Sequence, residues 1–273
     1  MAEPHALDLP AYFARIGYTG QREPTLAVLR ALQLQHMMAV PTENLDVLRG
    51  RPISIDPALL ERKLVHERRG GYCFEQNSLF QEVLRSLGFI VTPLLARVRW
   101  QVPAGHRTGL THMVLRVEIA GRSWLVDVGM GGVGATAPLA LDTEAEQSTP
   151  HELRRLLSKS GVTLHQMRSG AEWLDVYEFT QNEPVPMDFE LSNWYSCTHP
   201  KAFFVNNLVV TRVESDRRVI VYNCDFTYRY PDGRAETKNI ESPEELLALL
   251  AEHFDLPFPA GTRFGKPGAA WPA

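Results

Sequence analysis

Three residues of this chain have the types and order needed to move an acyl group through sulfur: Cys73, His112 and Asp127. Cys73 lies in Arg68-Arg69-Gly70-Gly71-Tyr72-Cys73-Phe74-Glu75-Gln76-Asn77, behind two glycines and ahead of Phe80, Val83, Leu84 and Leu87, which recur at helical spacing. Gly88 sits where such a helix commonly ends in the left-handed conformation. A thiol in the first turn faces unpaired backbone N–H groups and the positive end of the helix dipole, which favour the thiolate, and Arg68 and Arg69 add positive charge nearby. The plainer reading of Cys73 is a small core residue. What separates the two readings is a partner, because a catalytic thiol needs a base and the base needs a group that fixes its tautomer.

A β-hairpin is the element that would bring those partners together. Thr111-His112-Met113-Val114-Leu115-Arg116-Val117-Glu118-Ile119 alternates as a strand, Ala120-Gly121 offers a turn, and Ser123 to Val128 reads as the returning strand. A turn centred between Ala120 and Gly121 sets His112 opposite Gly129 and Asp127 opposite Val114. With side chains alternating at period two, His112 and Asp127 then share a face as diagonal neighbours. One residue more or fewer in the turn would reverse that parity. Taken singly, His112 also reads as a satisfied polar strand residue, and Asp127 as a turn residue beside a glycine run. A helix-N-terminal Cys, a strand His and a neighbouring-strand Asp, in that order, resemble the papain-like and transglutaminase-like thiol enzymes.

A closer resemblance rests on five segments: Pro41-Thr42-Glu43-Asn44-Leu45-Asp46-Val47-Leu48; Arg69 to Glu75; Thr111-His112-Met113; Val126-Asp127-Val128-Gly129; and Asn193-Trp194-Tyr195 through Thr198-His199-Pro200. In their order and spacing the chain resembles the arylamine N-acetyltransferases over nearly its whole length. The resemblance implies Cys73 as the acetyl-accepting nucleophile, His112 as its base and Asp127 as the orienting carboxylate. It implies ping-pong chemistry with acetyl-CoA as donor and arylamines, arylhydrazines or N-hydroxyarylamines as acceptors. It further implies Thr108, Gly129, Gly131 and Gly132 as coenzyme A contacts, and Thr42, Met130 and Phe204 as the lining of the acceptor pocket. Thr42 and Met130 depart from the aromatic residues common at those positions in the family. Glu43, Asn44 and Arg69 read either as catalytic or as a buried charged cluster that locks the Cys73 helix to the preceding one, and the resemblance agrees with the cluster.

Other chemical signals are weaker. Gly129-Met130-Gly131-Gly132-Val133-Gly134 reads either as a phosphate-approaching loop or as a flexible turn; no helical pattern follows at once, as a dinucleotide-binding motif requires. Cys197 and His199 have no second ligand pair, so no metal site is expected. Phe203 and Phe204 fit a core as well as a pocket.

The chain has 273 residues, 44% of them hydrophobic and 22% charged, enough to bury an ample core. A net charge of −4 with scattered basic residues gives no stripe for nucleic acid. Three cysteines without framework spacing suit a reducing compartment, and with no apolar run of about 18 residues and no leader pattern in Met1 to His5 the expectation is a cytoplasmic protein, monomer or homodimer.

Helical periodicity runs from Pro10 to Gly88, and strand patterns dominate from Ile90 to Val128 and resume beyond the polar stretch Asp142 to Pro150. Strands follow at Leu208 to Thr211 and Val219 to Tyr222, and a helix opens at Ser242-Pro243-Glu244-Glu245. The fold class is therefore α+β: a helical bundle over 1–88, a β-barrel over 89–194 and an α/β lid over 195–273, around a cysteine-protease-like core. The tail from Gly261, with Gly265, Pro267, Gly268 and Pro272, reads as loose or as a cover for the neighbouring surface. Two rivals make distinct predictions: a thiol amidohydrolase turns over amides without coenzyme A, and a silent binding protein has an unactivated thiol.

Overall fold

Polar caps and a three-to-four-residue apolar repeat set the helices of the first part of the chain. The structure is a computed structural model describing residues 5–103 and 105–265. Helix α1 (Leu9–Ile16) starts where the Asp8 carboxylate accepts the Ala11 N–H at 2.9 Å, and ends at Gly17, whose φ of 69° only glycine adopts cheaply. Helix α2 (Leu26–Ala39) is capped by Thr25. A two-residue strand, β1 (Thr42–Glu43), comes next, then the short helices α3 (Leu45–Leu48) and α4 (Pro57–Glu61), with a π-helical turn over Arg62–His66. Helix α5 (Cys73–Ser86) buries Phe74, Leu79, Phe80, Val83 and Leu84 completely, each stabilising the fold by about 1.5–3 kcal/mol relative to exposure. Gly88 follows with φ of 85°, as its place in the pattern predicts.

The strands of the middle are β2 (Ile90–Val98), β3 (His112–Ile119), β4 (Arg122–Val126), β5 (Leu139–Ala140), β6 (Gln147–Ser148), β7 (Leu153–Lys159), β8 (Val162–Ser169) and β9 (Glu172–Thr180). They form one antiparallel sheet in the order β5-β4-β3-β2-β9-β8-β7-β6. Strands β5 and β6 are consecutive in sequence yet occupy opposite edges. The Gln147 amide bridges them, accepting the Ala140 N–H at 2.7 Å and donating to the Ala140 carbonyl at 3.0 Å, so the sheet curls into a nearly closed barrel. Leu94, Ala96, Val114, Leu125, Leu156, Val176 and Phe179 fill its interior. The β3–β4 turn has positive φ at both Ala120 (51°) and Gly121 (77°), the pair of left-handed residues that suits a two-residue hairpin. Its register, Leu115 opposite Val126 through Ile119 opposite Arg122, is the one the sequence predicts.

Helices α6 (Pro186–Thr198) and α7 (Phe203–Asn206) lead into β10 (Val209–Val213), β11 (Arg218–Tyr222), β12 (Asp225–Arg229) and β13 (Ala235–Asn239). The second sheet has the order β1-β10-β11-β12-β13, so Thr42 pairs with Thr211 and ties the first part of the chain to the last. Helix α8 (Pro243–Phe254), capped by Ser242, lays Leu246, Leu249, Leu250 and Phe254 on Val210, Val219, Val221 and Phe226. Among the described residues no helix is long and apolar enough to cross a membrane. Pro267, Gly268 and Pro272 of the expected tail lie outside the described residues.

Candidate active site

Two glycines allow the chain to deliver Cys73 to the first position of α5. A Cβ on Gly70 would stand 2.1 Å from the Pro41 carbonyl oxygen, and one on Gly71 2.7 Å from the Glu75 carboxylate, so residues 70–71 pass where no side chain fits. Glu75 turns back to accept the Tyr72 N–H at 3.0 Å, satisfying one of the helix's free donors, while Lys63 donates to its other oxygen at 2.7 Å. Cys73 is buried, and its thiol faces the Thr111 carbonyl at 3.8 Å. The two arginines expected beside it are engaged elsewhere. Arg68 reaches outward to Asp255 at 2.9 Å, and Arg69 binds Glu43 at 2.6 Å and Asp46 at 3.3 Å. Carboxylates from α3 and β1 and from the end of α8 take both guanidiniums in charge-assisted bonds.

His112 opens β3, and Asp127 follows the last residue of β4. Their shared face is occupied as the hairpin register requires, with His112 Nε2 at 2.8 Å from Asp127 Oδ2. That contact leaves Nδ1 as the ring nitrogen available on the Cys73 side. Burial alone would lower the imidazole, but the Asp127 carboxylate, and then Cys73, hold it up at about 10. Burial alone would raise Asp127; His112, Asn77 and the Gly129 N–H together hold it below the usual carboxylate range. The site therefore stores an imidazolium against a carboxylate, beside a sulfur at a helix start.

The glycine run after Asp127 returns directly onto α5. A Cβ on Gly129 would lie 2.5 Å from the Cys73 Cα and 2.8 Å from the Asn77 amide nitrogen. Gly131 has φ of 63°, and a Cβ on it would lie 2.7 Å from the Thr211 hydroxyl, with the Thr42 methyl next nearest; one on Gly132 would meet Ile220. Met130 packs, partly buried, against the barrel core. Thr108 lies on the segment before β3, its hydroxyl donating to the Val98 carbonyl at 2.8 Å.

The remaining candidates lie at the junction of β1, α3 and α7. Glu43 bridges Arg69 and the Leu45 N–H, each at 2.6 Å. Asn44 donates to the carbonyls of Phe204 and Asn207, both at 2.7 Å, and accepts the Val209 N–H at 2.9 Å, pinning the turn that carries Phe204. Phe204 meets Tyr72, next to the thiol, edge to face at 5.0 Å. Among the described residues no group of His, Cys, Asp and Glu could hold a metal ion.

The chain and its fold have relatives among known proteins. A family model described as N-acetyltransferase matches residues 25–262. An arylamine N-acetyltransferase of Mycobacterium tuberculosis is 42% identical over 255 residues, covering 92% of this chain and 90% of the relative. The chain belongs to the arylamine N-acetyltransferase family. Another member, from Escherichia coli, is 39% identical over 247 residues, with 90% and 87% of the two chains covered. The solved structure of the Mycobacterium marinum arylamine N-acetyltransferase in complex with CoA superposes with a TM-score of 0.88 at 36% identity, over 91% of this chain and 93% of that one.

Within this arylamine N-acetyltransferase fold, sequence reasoning missed two neighbours of the His112–Asp127 pair. Asn77 donates to Asp127 Oδ1 at 3.0 Å and to the Met113 carbonyl at 2.8 Å, and accepts the Val128 N–H at 3.1 Å. Its signal was present, since residues four apart share a helix face and Asn77 is one turn beyond Cys73. Tyr177, from β9, lays its ring 5.0 Å from that of His112. Nothing local in the sequence marks it.

Proposed function

We propose that this chain is an acetyl-CoA-dependent arylamine N-acetyltransferase that carries the acetyl group on Cys73, with His112 and Asp127 completing a catalytic triad. The observation that carries the reading is the buried Asp127–His112 contact at 2.8 Å, set beside a helix-N-terminal thiol in a chain of this family. In the first half-reaction the Cys73 sulfur attacks the thioester carbonyl, the C–S bond to coenzyme A breaks, and the departing thiolate takes the proton of the His112 imidazolium. One thioester replaces another, so the acetyl group stays activated. In the second, the amine nitrogen attacks the acetyl-cysteine, His112 accepts the amine proton, and the Cys73 thiolate leaves, restoring the thiolate–imidazolium pair. Asp127 holds the ring in one tautomer and stabilises its charge in both halves.

Thr108, Gly129, Gly131 and Gly132 are assigned to the donor, and Thr42, Met130 and Phe204 to the acceptor. The contact of Phe204 with Tyr72, the residue before Cys73, supports placing the acceptor beside the thiol. Glu43, Asn44 and Arg69 are assigned structural support, in keeping with their bonds to Leu45, Phe204 and Asp46. Cytoplasmic residence is part of the proposal, because Cys73, Cys197 and Cys224 are free thiols suited to a reducing compartment.

Incubating the protein with acetyl-CoA alone and mapping the product by peptide mass spectrometry tests the reading. One acetyl group on the Cys73 peptide, absent from Cys73→Ala, is expected. An intact fold that acquires no label at Cys73 would refute it.

A further inference from the structure

Behind the glycine loop lies a buried ionic knot that none of the chemistry above uses. Arg154 from β7 and Arg218 from β11 are fully buried, and both grip Glu152: Arg154 donates at 2.8 Å, and Arg218 donates at 2.9 Å to each carboxylate oxygen. Burial alone would raise the Glu152 carboxyl, but Arg218 and Arg154 hold it down at about 2. Both guanidiniums also donate to the loop, while the Arg154 Nε is buried without a partner. Arg154 reaches the carbonyls of Val133 at 2.8 Å and Gly134 at 2.9 Å, and Arg218 those of Gly134 at 2.8 Å and Gly131 at 3.4 Å.

Two consequences follow. In a planar trans peptide the N–H of the next residue points opposite to the carbonyl, so drawing the Gly131 oxygen inward turns the Gly132 N–H away from the knot. Two guanidiniums against one carboxylate also leave net positive charge beneath the loop. Arg229 nearby is held down at about 10, first by burial and then by Arg218. The other end of the same loop touches Cys73 through Gly129. The loop is thus a strut of fixed shape between a positively charged base and the nucleophile.

We propose that Arg154, Glu152 and Arg218 are positioning residues for donor recognition, holding loop 129–134 in the shape that receives the diphosphate of an acyl-CoA and setting its distance from Cys73. This rests on the acetyl-CoA reading above. A lysine at 218 keeps the charge but cannot make the fork of bonds to Glu152 and Gly134.

The test compares two donors on the native protein and on Arg218→Lys: acetyl-CoA, and the acetyl thioester of N-acetylcysteamine, which has no phosphate. The rate of Cys73 acetylation is read for each, together with KM and kcat. The expected result is a fall of about tenfold in the ratio of acetyl-CoA to short-thioester reactivity, carried by KM for acetyl-CoA. Equal loss with both donors, or no change with either, would overturn the proposal. Arg154→Lys gives the same comparison if Arg218→Lys does not fold, and failure of both to fold would assign the knot to stability alone. Native protein acetylated by the short thioester but not by acetyl-CoA would instead refute the donor reading on which the proposal rests.

Discussion

Gly129 stands so close to Cys73 that a Cβ on it would lie 2.5 Å from the Cys73 Cα. The hairpin that carries His112 and Asp127 is thereby clamped onto the helix that carries the thiol. The obstructing atom is backbone and cannot swing aside, so Gly129→Ala must separate the two elements. We expect a stability loss of about 1–3 kcal/mol, the usual range for overpacking, and a larger fractional loss of Cys73 acetylation. Denaturant unfolding and acetylation kinetics on the same samples check both. An alanine variant that matches the native protein in rate would show that the contact is not part of the site.

Asp127→Asn keeps the shape of the side chain but replaces the carboxylate that holds His112 Nε2. An amide can present either a donor or an acceptor to that nitrogen, so the tautomer is no longer fixed. Acetylation of Cys73 by acetyl-CoA is expected to fall on the order of 10³–10⁴-fold, and stability by about 3–5 kcal/mol, as the buried His112 loses its charge partner. Stopped-flow measurement of coenzyme A release gives the number.

Asn77 acts through Asp127. Asn77→Ala leaves Asp127 Oδ1 with only the Gly129 N–H, and removes the partners of the Met113 carbonyl and the Val128 N–H. A cost of about 1–3 kcal/mol per buried unpaired group predicts a clear drop in stability. The rate should fall less than in Asp127→Asn, because the His112 contact survives. Asn77→Asp would set a second carboxylate against Asp127 and should be worse than alanine in both measures.

His112 and His36 make stability depend on pH in opposite senses. His112 is held at about 10 in the fold against about 6.5 unfolded. The folded state binds the extra proton, so this contribution is complete below about pH 6.5 and lost as pH rises toward 10. His36, buried between Tyr12 and Gln76, is lowered to about 4, first by burial. The unfolded state binds the extra proton, so its contribution is complete above about pH 6.5 and lost as pH falls toward 4. Each shift corresponds to a few kcal/mol, on the order of 1.4 per unit. Denaturant midpoints across pH 4–10 should peak near neutrality, with His36→Gln flattening the acid limb and His112→Gln the alkaline one.

The sequence was most legible where one local pattern decides the outcome. The start of α5, its end near Gly88, the two-residue turn at Ala120-Gly121 and the His112–Asp127 pairing all follow from spacing within short segments. Long-range pairings were not legible. Strand β1 is two residues long and exists because Thr42 meets Thr211; β13 is exposed at every position and shows no alternation; and β6, which the Gln147 bridge joins to β5, lies within a stretch that reads as polar. The same limit applied to the charges. Arg68 and Arg69 are close to Cys73 in sequence, and only the fold reveals the carboxylates that take them. The Arg154–Glu152–Arg218 knot joins two sheets and left no mark in either segment alone.

In the proposed mechanism Cys73 carries the acetyl group between donor and amine. The most direct measurement prepares the acetylated protein, removes all coenzyme A by gel filtration, adds an aniline and follows protein mass and acetanilide together in a single turnover. One acetanilide formed for each acetyl lost from Cys73 is expected, at a rate that falls sharply in His112→Gln. Acetyl-cysteine that persists in the presence of the amine, with acetanilide formed only when acetyl-CoA is restored, would contradict it.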